Sequence, residues 1–158
     1  MLRDAVLSLA DEVPAGRALV NSGRLSVPTW LHDSPLNTPD VDAWDGWMMP
    51  GAPTDDAPVE GSTSRWLLEL VSAAKTLSFV LLHFGSVEEH ARRSIDEHSR
   101  ASGLVLVTLP NDGLAARRYD ARPGTCYLIR PDQHVAARWR RFDAGAVRAA
   151  LARAMGNT

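Results

Sequence analysis

The thiol of Cys126 and the imidazoles of His83, His90, His98 and His134 are the side chains in this sequence best equipped for chemistry. The setting of each argues against a site. One cysteine excludes an internal disulfide, a C-x-x-C pair and a cysteine-based zinc cluster. Cys126 falls inside a strand-favouring run, Thr125 to Arg130, where an unpaired cysteine usually serves as a small buried hydrophobe. His90 and His98 lie two turns apart on one predicted helix, too far apart to share a metal ion, and are expected at the surface. His83, on a predicted central strand, and His134, in a predicted hairpin, are expected to be satisfied by hydrogen bonds. No serine stands in a G-x-S-x-G elbow. No two of the 11 glycines have the G-x-G spacing that lets a backbone approach a pyrophosphate. No paired carboxylates accompany a nucleophile. The sequence nominates no catalytic, cofactor-binding or metal-ligating residue.

The elements that would position any site are clearer. Leu77 to Phe84 is apolar on both faces, as in a central strand covered on each side. Gly85 ends it, and Ser86 with Glu89 has the form of a capping box that starts a helix. Val87, Ala91, Ile95 and Ser102 trace the buried side of that helix. Glu88/Arg92, Glu89/Arg93 and Asp96/Arg100 are spaced as i,i+4 ion pairs on its wet side. Gly103 closes the helix. Leu104 to Leu109 reads as a second strand buried on both faces, so strand, helix and strand form a parallel βαβ unit. A short helix is expected over Leu114 to Ala121. Thr125 to Arg130 and His134 to Trp139 then flank Pro131-Asp132-Gln133. Pro131 sets φ for a tight turn, and Asp132 can bond back to its own backbone. Alternation puts Val135, Ala137 and Trp139 on one face of this hairpin and His134, Ala136 and Arg138 on the other. Asp143 caps a last helix in which Val147, Leu151 and Met155 share a face, and Gly156 ends it.

Upstream, Leu2, Val6, Leu9 and Val13 have helical spacing, stopped by Pro14 and Gly16. Six of the 10 prolines lie between Pro28 and Pro58. Trp30, Trp44, Trp47, Met48 and Met49 make this stretch too apolar for a disordered tether. It is expected to wrap over a surface and pin itself there. Trp66, Leu67, Leu70, Val71 and Ala74 then suggest a short helix against a core.

With 158 residues, 45% hydrophobic and 23% charged, the chain suits one domain with an extended arm. No apolar run approaches the roughly 18 residues that span a bilayer. The opening MLRDAVLSLADEV lacks the apolar run of a signal peptide. A lone cysteine suits the reducing cytoplasm. Net charge is −2, which does not suit binding to nucleic acid. Charge is uneven, however. Between Leu25 and Ser64 there is no Lys or Arg but there are seven acids, Asp33, Asp40, Asp42, Asp45, Asp55, Asp56 and Glu60. Arginines crowd the last third, which suggests an acidic arm lying on a basic face of the same fold.

The order β-α-β-α-β-β-α is thioredoxin-like. Thioredoxins carry their C-x-x-C where this sequence reads Phe84-Gly85-Ser86-Val87-Glu88-Glu89. No sulfur stands there, and the acids would oppose a thiolate. A narrower resemblance covers most of the chain. Tyr127-Leu128-Ile129-Arg130-Pro131-Asp132-Gln133-His134-Val135-Ala136-Ala137-Arg138-Trp139 resembles the "LVRPDG-x-VAWR" hairpin of FAD-dependent aromatic-ring hydroxylases of the phenol, hydroxybenzoate, hydroxyphenylpropionate and polyketide type. Pro50-Gly51-Ala52-Pro53 with Asp56-Ala57-Pro58-Val59 resembles their "PGxRAPDAPL" entry. Trp66-Leu67-Leu68 and Phe79-Val80-Leu81-Leu82 resemble their "LhdLl…gFtLL" run, and Leu2 to Ala10 the last helix of their FAD-bearing part. The departures are Gln133, where Gly is usual, and Ala137, where Trp is frequent.

The resemblance implies an α/β, thioredoxin-like fold with an N-terminal helix and a long Pro/Trp-rich arm. It implies residues 1–20 as the end of an FAD-domain part, 21–64 as a lead-in arm and 65–158 as the thioredoxin-like domain. It further implies a non-redox accessory domain of an FAD- and NAD(P)H-dependent aromatic monooxygenase, separated from its catalytic part. Such a chain is not expected to be active alone or to bind FAD, which belongs, with NAD(P)H, to the parent family. Its expected partner is the FAD-bearing part or a second copy of itself. The helix over 2–13 and the Trp44/Trp47/Met48 cluster are the expected meeting surface. Two other readings are a stand-alone thioredoxin-like interaction or dimerisation protein and a small redox enzyme using Cys126.

Overall fold

The computed structural model describes residue 13 and residues 28–59, 66–73 and 78–157, the side chains of 98–102 excepted. The helix expected over 2–13 lies, apart from Val13, outside the described residues. The chain from residue 66 builds α1 (Leu67–Ala73), β1 (Val80–Phe84), α2 (Glu89–Ser102), β2 (Val105–Leu109), α3 (Gly113–Arg118), β3 (Cys126–Ile129), β4 (Val135–Trp139) and α4 (Ala144–Ala154). This is a mixed α/β fold with one four-stranded sheet in the order β2-β1-β3-β4. β1 pairs in parallel with β2 and antiparallel with β3, and β3 pairs antiparallel with β4.

β1 earns its central place by composition. Val80, Leu81, Leu82, His83 and Phe84 are all buried, so both faces of the strand carry a core. On one face Leu82, Phe84, Tyr127, Ile129 and Val135 pack with Leu67 and Val71 of α1 and with Ala115 and Ala116 of α3. On the other, Leu81, Cys126, Leu128 and Trp139 pack under Ile95 of α2 and Val147 and Leu151 of α4. β2, expected to be buried on both faces, is half-buried with Thr108 exposed. The reason is its place at the sheet edge, where only one neighbour covers it.

Local differences from the sequence reading have identifiable causes. α2 begins at Glu89, and Ser86 to Glu88 remain outside it. Gly85, at φ 89, turns the chain over the end of the sheet, and Val87 packs on the second core before the helix starts. Glu89 makes its expected bond to Arg93 at 3.3 Å, but Glu88 pairs with His90 instead of Arg92. In α4 the Asp143 carboxylate accepts from the Ala146 N–H at 2.7 Å, the expected cap. Met155 is exposed, because the helix has already ended beside it.

The hairpin departs most instructively. Leu128 faces Ala137 and Ile129 faces Val135, so Ala136 is an extra residue, a β-bulge. Period-two alternation therefore breaks. Val135 joins the core of Tyr127 and Ile129, whereas Ala137 and Trp139 join the core under α4. Arg138 thereby turns towards the arm. The turn itself is closed by Gln133 N–H to Arg130 O at 2.9 Å, with Gln133 at φ 62, a left-handed conformation that glycine adopts more readily. That accounts for the glycine expected at this position.

Residues 28–59 wrap the outer edge of β4. Thr38, Gly51 and Thr54 donate their N–H groups to the carbonyls of Ala136, Val135 and Gln133, each at 2.8 Å, and Val135 N–H returns to Ala52 O at 2.9 Å. An edge that would otherwise present unpaired backbone groups is thus closed. Met48, Ala52, Ala57 and Val59 enter the first core. The arm is part of the folded body.

Candidate functional site

Among the described residues, two places that gather polar side chains stand out. The first is an open cleft of about 530 Å³ at the C-terminal end of β1, lined by His83, Ser86, Glu88, His90, Gly124 and Arg141 among others. It forms because Gly85 and Gly124, both at positive φ, bend the chain away from the sheet. His83 is 3% exposed, with Nδ1 3.2 Å from Gly85 O. Burial lowers its pKa, more than the hydrogen bond to Gly85 O raises it, so the imidazole is neutral at neutral pH. His90 and Glu88 form an exposed pair at 3.3 Å. The side chain of His98 lies outside the described residues, so the structure does not place it beside His90. Among the described residues no group of three or more His, Cys, Asp or Glu could hold a metal ion.

Cys126 is not part of this cleft's lining. It is fully buried on β3 under α4, and its Sγ donates to Gly124 O at 3.3 Å. Burial pushes the thiol pKa up to about 12, so the nucleophilic thiolate is scarce at neutral pH. Native protein is accordingly expected to resist Ellman's reagent for hours and to react with one equivalent once unfolded in urea. Fast stoichiometric labelling of the native protein would contradict this burial.

The second place is the seam between arm and sheet. Arg138, buried on β4, donates from Nε to Asp40 Oδ1 at 3.0 Å, from Nη2 to Asp40 Oδ2 at 2.7 Å and from Nη1 to Gly46 O at 3.2 Å. Burial works against its charge, yet bonds to Asp40 and Tyr127 hold its pKa above the ordinary value. The guanidinium carbons of Arg138 and Arg140 lie 4.4 and 3.7 Å from the Trp44 ring centroid. Arg140 Nη2 also donates to Ala43 O at 2.9 Å and to Asp120 Oδ2 at 2.5 Å. Farther along the arm, Tyr119 Oη donates to Asp55 O at 2.8 Å, and Tyr127 Oη to Tyr119 O at 2.6 Å. His134 Nε2 lies 2.9 Å from Thr29 O. His83 and His134 thus both have the hydrogen-bond partners expected of them.

Asp120 adds a pH dependence to this seam. Burial tends to raise its pKa, but the Asp45 N–H at 3.0 Å and Arg140 bring it below the ordinary carboxylate value. A carboxylate with a depressed folded pKa stabilises above its unfolded pKa and loses that contribution as pH falls through the folded one. Stability is therefore expected to drop below about pH 4. Asp120→Asn should flatten that acid limb in urea titrations run at successive pH values; an unchanged limb would assign it to other groups.

Sequence reasoning nominated neither Asp40 nor Arg138. The available signal was the split between an acidic arm and a basic last third. Of the cluster expected as a meeting surface, Met48 is 2% exposed, Trp44 is half-buried against the arginines and Trp47, at 59%, is the most exposed. Among the described residues no helix is long and apolar enough to cross a membrane.

Comparison with known proteins gives this fold a context. The family described as aromatic-ring hydroxylase, C-terminal, matches residues 42–158. No curated protein matches the chain by sequence. Among solved structures, the rebeccamycin biosynthetic enzyme RebC with reduced flavin is similar at 22% identity and a TM-score of 0.62, over 90% of this chain and 26% of that one. The flavin-dependent monooxygenase PieE, in complex with FAD and substrate, is similar at 19% identity and TM-score 0.58, over 92% of this chain and 29% of its own. Aklavinone-11 hydroxylase, in a ternary complex with FAD and aklavinone, is similar at 17% identity and TM-score 0.53, over 83% and 25%. At these identities the likeness is one of fold, and the chain spans little more than a quarter of the length of the solved chains it matches.

Proposed function

The chain belongs to the aromatic-ring hydroxylase C-terminal family, and from that membership we propose that it is a non-redox accessory domain of an FAD- and NAD(P)H-dependent aromatic monooxygenase. The scaffold is thioredoxin-like in order, and the domain uses it for shape. The observation that carries this reading is chemical. The segment Phe84 to Glu89, where such a scaffold would hold a reactive dithiol, contains no sulfur, and the chain's single thiol is buried with its pKa raised to about 12.

In this reading FAD, NAD(P)H and the aromatic substrate bind to a separate FAD-bearing part. Residues 1–20 correspond to the end of that part, 21–64 to the lead-in arm and 65–158 to the accessory domain. The domain braces or covers the catalytic part through a surface held rigid by the Asp40–Arg138 seam. Flavin titration followed by isothermal calorimetry tests the proposal. The purified chain is expected to be colourless and to release no heat of FAD binding. Tight, stoichiometric FAD uptake would overturn it.

A further inference from the structure

Among the described residues of the arm, the rings of Trp30, His32 and Trp47 form a partly exposed cluster, with Met49 exposed two residues beyond Trp47. Trp30 stacks on His32 with ring centroids 5.0 Å apart and lies 6.3 Å from Trp47. Trp47 is 59% and Met49 39% exposed. The cluster is held in place from beneath. Leu31 N–H bonds Gly51 O at 2.8 Å, Asn37 Nδ2 donates to Leu31 O at 2.7 Å, and Met49 N–H bonds Trp47 O at 2.7 Å. A rigid aromatic surface loses little conformational freedom on association, which is how tryptophan comes to dominate interfaces.

We propose that this cluster is the docking surface for the FAD-bearing catalytic body, an inference that rests on the accessory role proposed above. Three observations favour that occupant. The matched part is 26% of the RebC chain and 29% of the PieE chain, so in each relative a larger body accompanies the domain. The cluster sits on the lead-in arm, ahead of the first strand of the sheet, where the chain enters its domain. The arm's own charged side chains beside it are acidic: Asp33 and Asp45 are exposed, and no Lys or Arg occurs between Leu25 and Ser64. The complementary surface is therefore apolar with a rim of Lys or Arg, which would steer approach through the exposed carboxylates. Trp44 and Met48 take no part, since they are committed to the seam and the core.

The test titrates the 158-residue chain with the FAD-loaded polypeptide encoded next to it or in frame with it, by calorimetry and sedimentation. Wild type is expected to bind. Trp47→Ser is expected to weaken binding at least about tenfold while its thermal unfolding stays unchanged, and Met49→Ser to act in the same direction. Met155→Ser, exposed at the end of α4, which packs on the second core whereas Trp30 packs on the first, should bind as wild type. If wild type binds and both arm variants bind equally well, the surface is wrong and the accessory role survives. If wild type does not bind at all, both fail. A wild-type homodimer that Trp47→Ser converts to monomer would give the surface to a second copy and overturn the assignment.

Discussion

Asp40→Ala is expected to lower the unfolding free energy by about 3 kcal/mol, although Asp40 itself lies on a surface loop. The cost arises on the other side of the pair. Arg138 has a side chain 3% exposed and depends on Asp40 for three of its hydrogen bonds. Removing the carboxylate leaves a buried guanidinium with no counter-ion at that position, held only by neutral partners such as Gly46 O, Tyr127 and the Trp44 ring. An isolated buried charge costs far more than the intact pair contributes. In a domain of this size, about 3 kcal/mol corresponds to a fall in Tm of roughly 6–12 °C. The double variant Asp40→Ala/Arg138→Met should recover at least about 1 kcal/mol of that loss, because a well-packed apolar chain needs no counter-ion. Urea unfolding followed by circular dichroism measures both. A single-variant effect below about 0.5 kcal/mol would mean that the pair is solvated like an ordinary surface salt bridge.

Gly51→Ala should cost on the order of 3–5 kcal/mol. Gly51 has φ 90, and a Cβ there would collide with Leu31 O and lie 2.6 Å from Leu31 C and 2.8 Å from Asn37 Nδ2. Those atoms are not free to move. Leu31 O is an acceptor for Asn37, and Gly51 itself bonds both Leu31 and Val135 through its backbone. Conformational strain and steric exclusion can be separated with Gly103→Ala. Gly103 has φ 69 but nothing within 4 Å of its Cβ direction, so only the left-handed backbone cost of about 1–2 kcal/mol applies. Equal losses for the two variants in urea titrations would show that Leu31 and Asn37 do not approach residue 51 this closely.

The contrast between these residues explains what could be read from the sequence. β1, the βαβ unit and the hairpin were legible because burial on two faces and turn chemistry leave marks in composition. Pro131-Asp132 announced its turn, and Asp143 its cap. Arg138 was illegible in its role. The bulge at Ala136 reverses the alternation after Val135, and the extra residue is an alanine with no feature to betray it. The course of the arm was hidden for a related reason: backbone groups of Thr38, Gly51 and Thr54 attach it to β4. Backbone bonds carry no residue code, and only the Pro50-Gly51 pair hinted at a special conformation. The cleft at the end of β1 joins Ser86 and Glu88 with Arg141, far apart in the chain, and such meetings depend on topology that spacing cannot supply.

The arm also has a consequence in time. Asp40 and Arg138 are 98 residues apart, whereas β3 and β4 meet across one short turn. Short-range pairings close early in folding and distant ones late, since each must first overcome the entropy of the loop it closes. A contact made after the rate-limiting barrier adds nothing to the speed of folding and acts wholly by slowing escape from the native state. Stopped-flow measurements on Asp40→Ala should accordingly show an almost unchanged refolding limb and unfolding accelerated roughly a hundredfold. The strap across β4 governs how long the domain persists once folded, and leaves to the sheet how quickly it gets there.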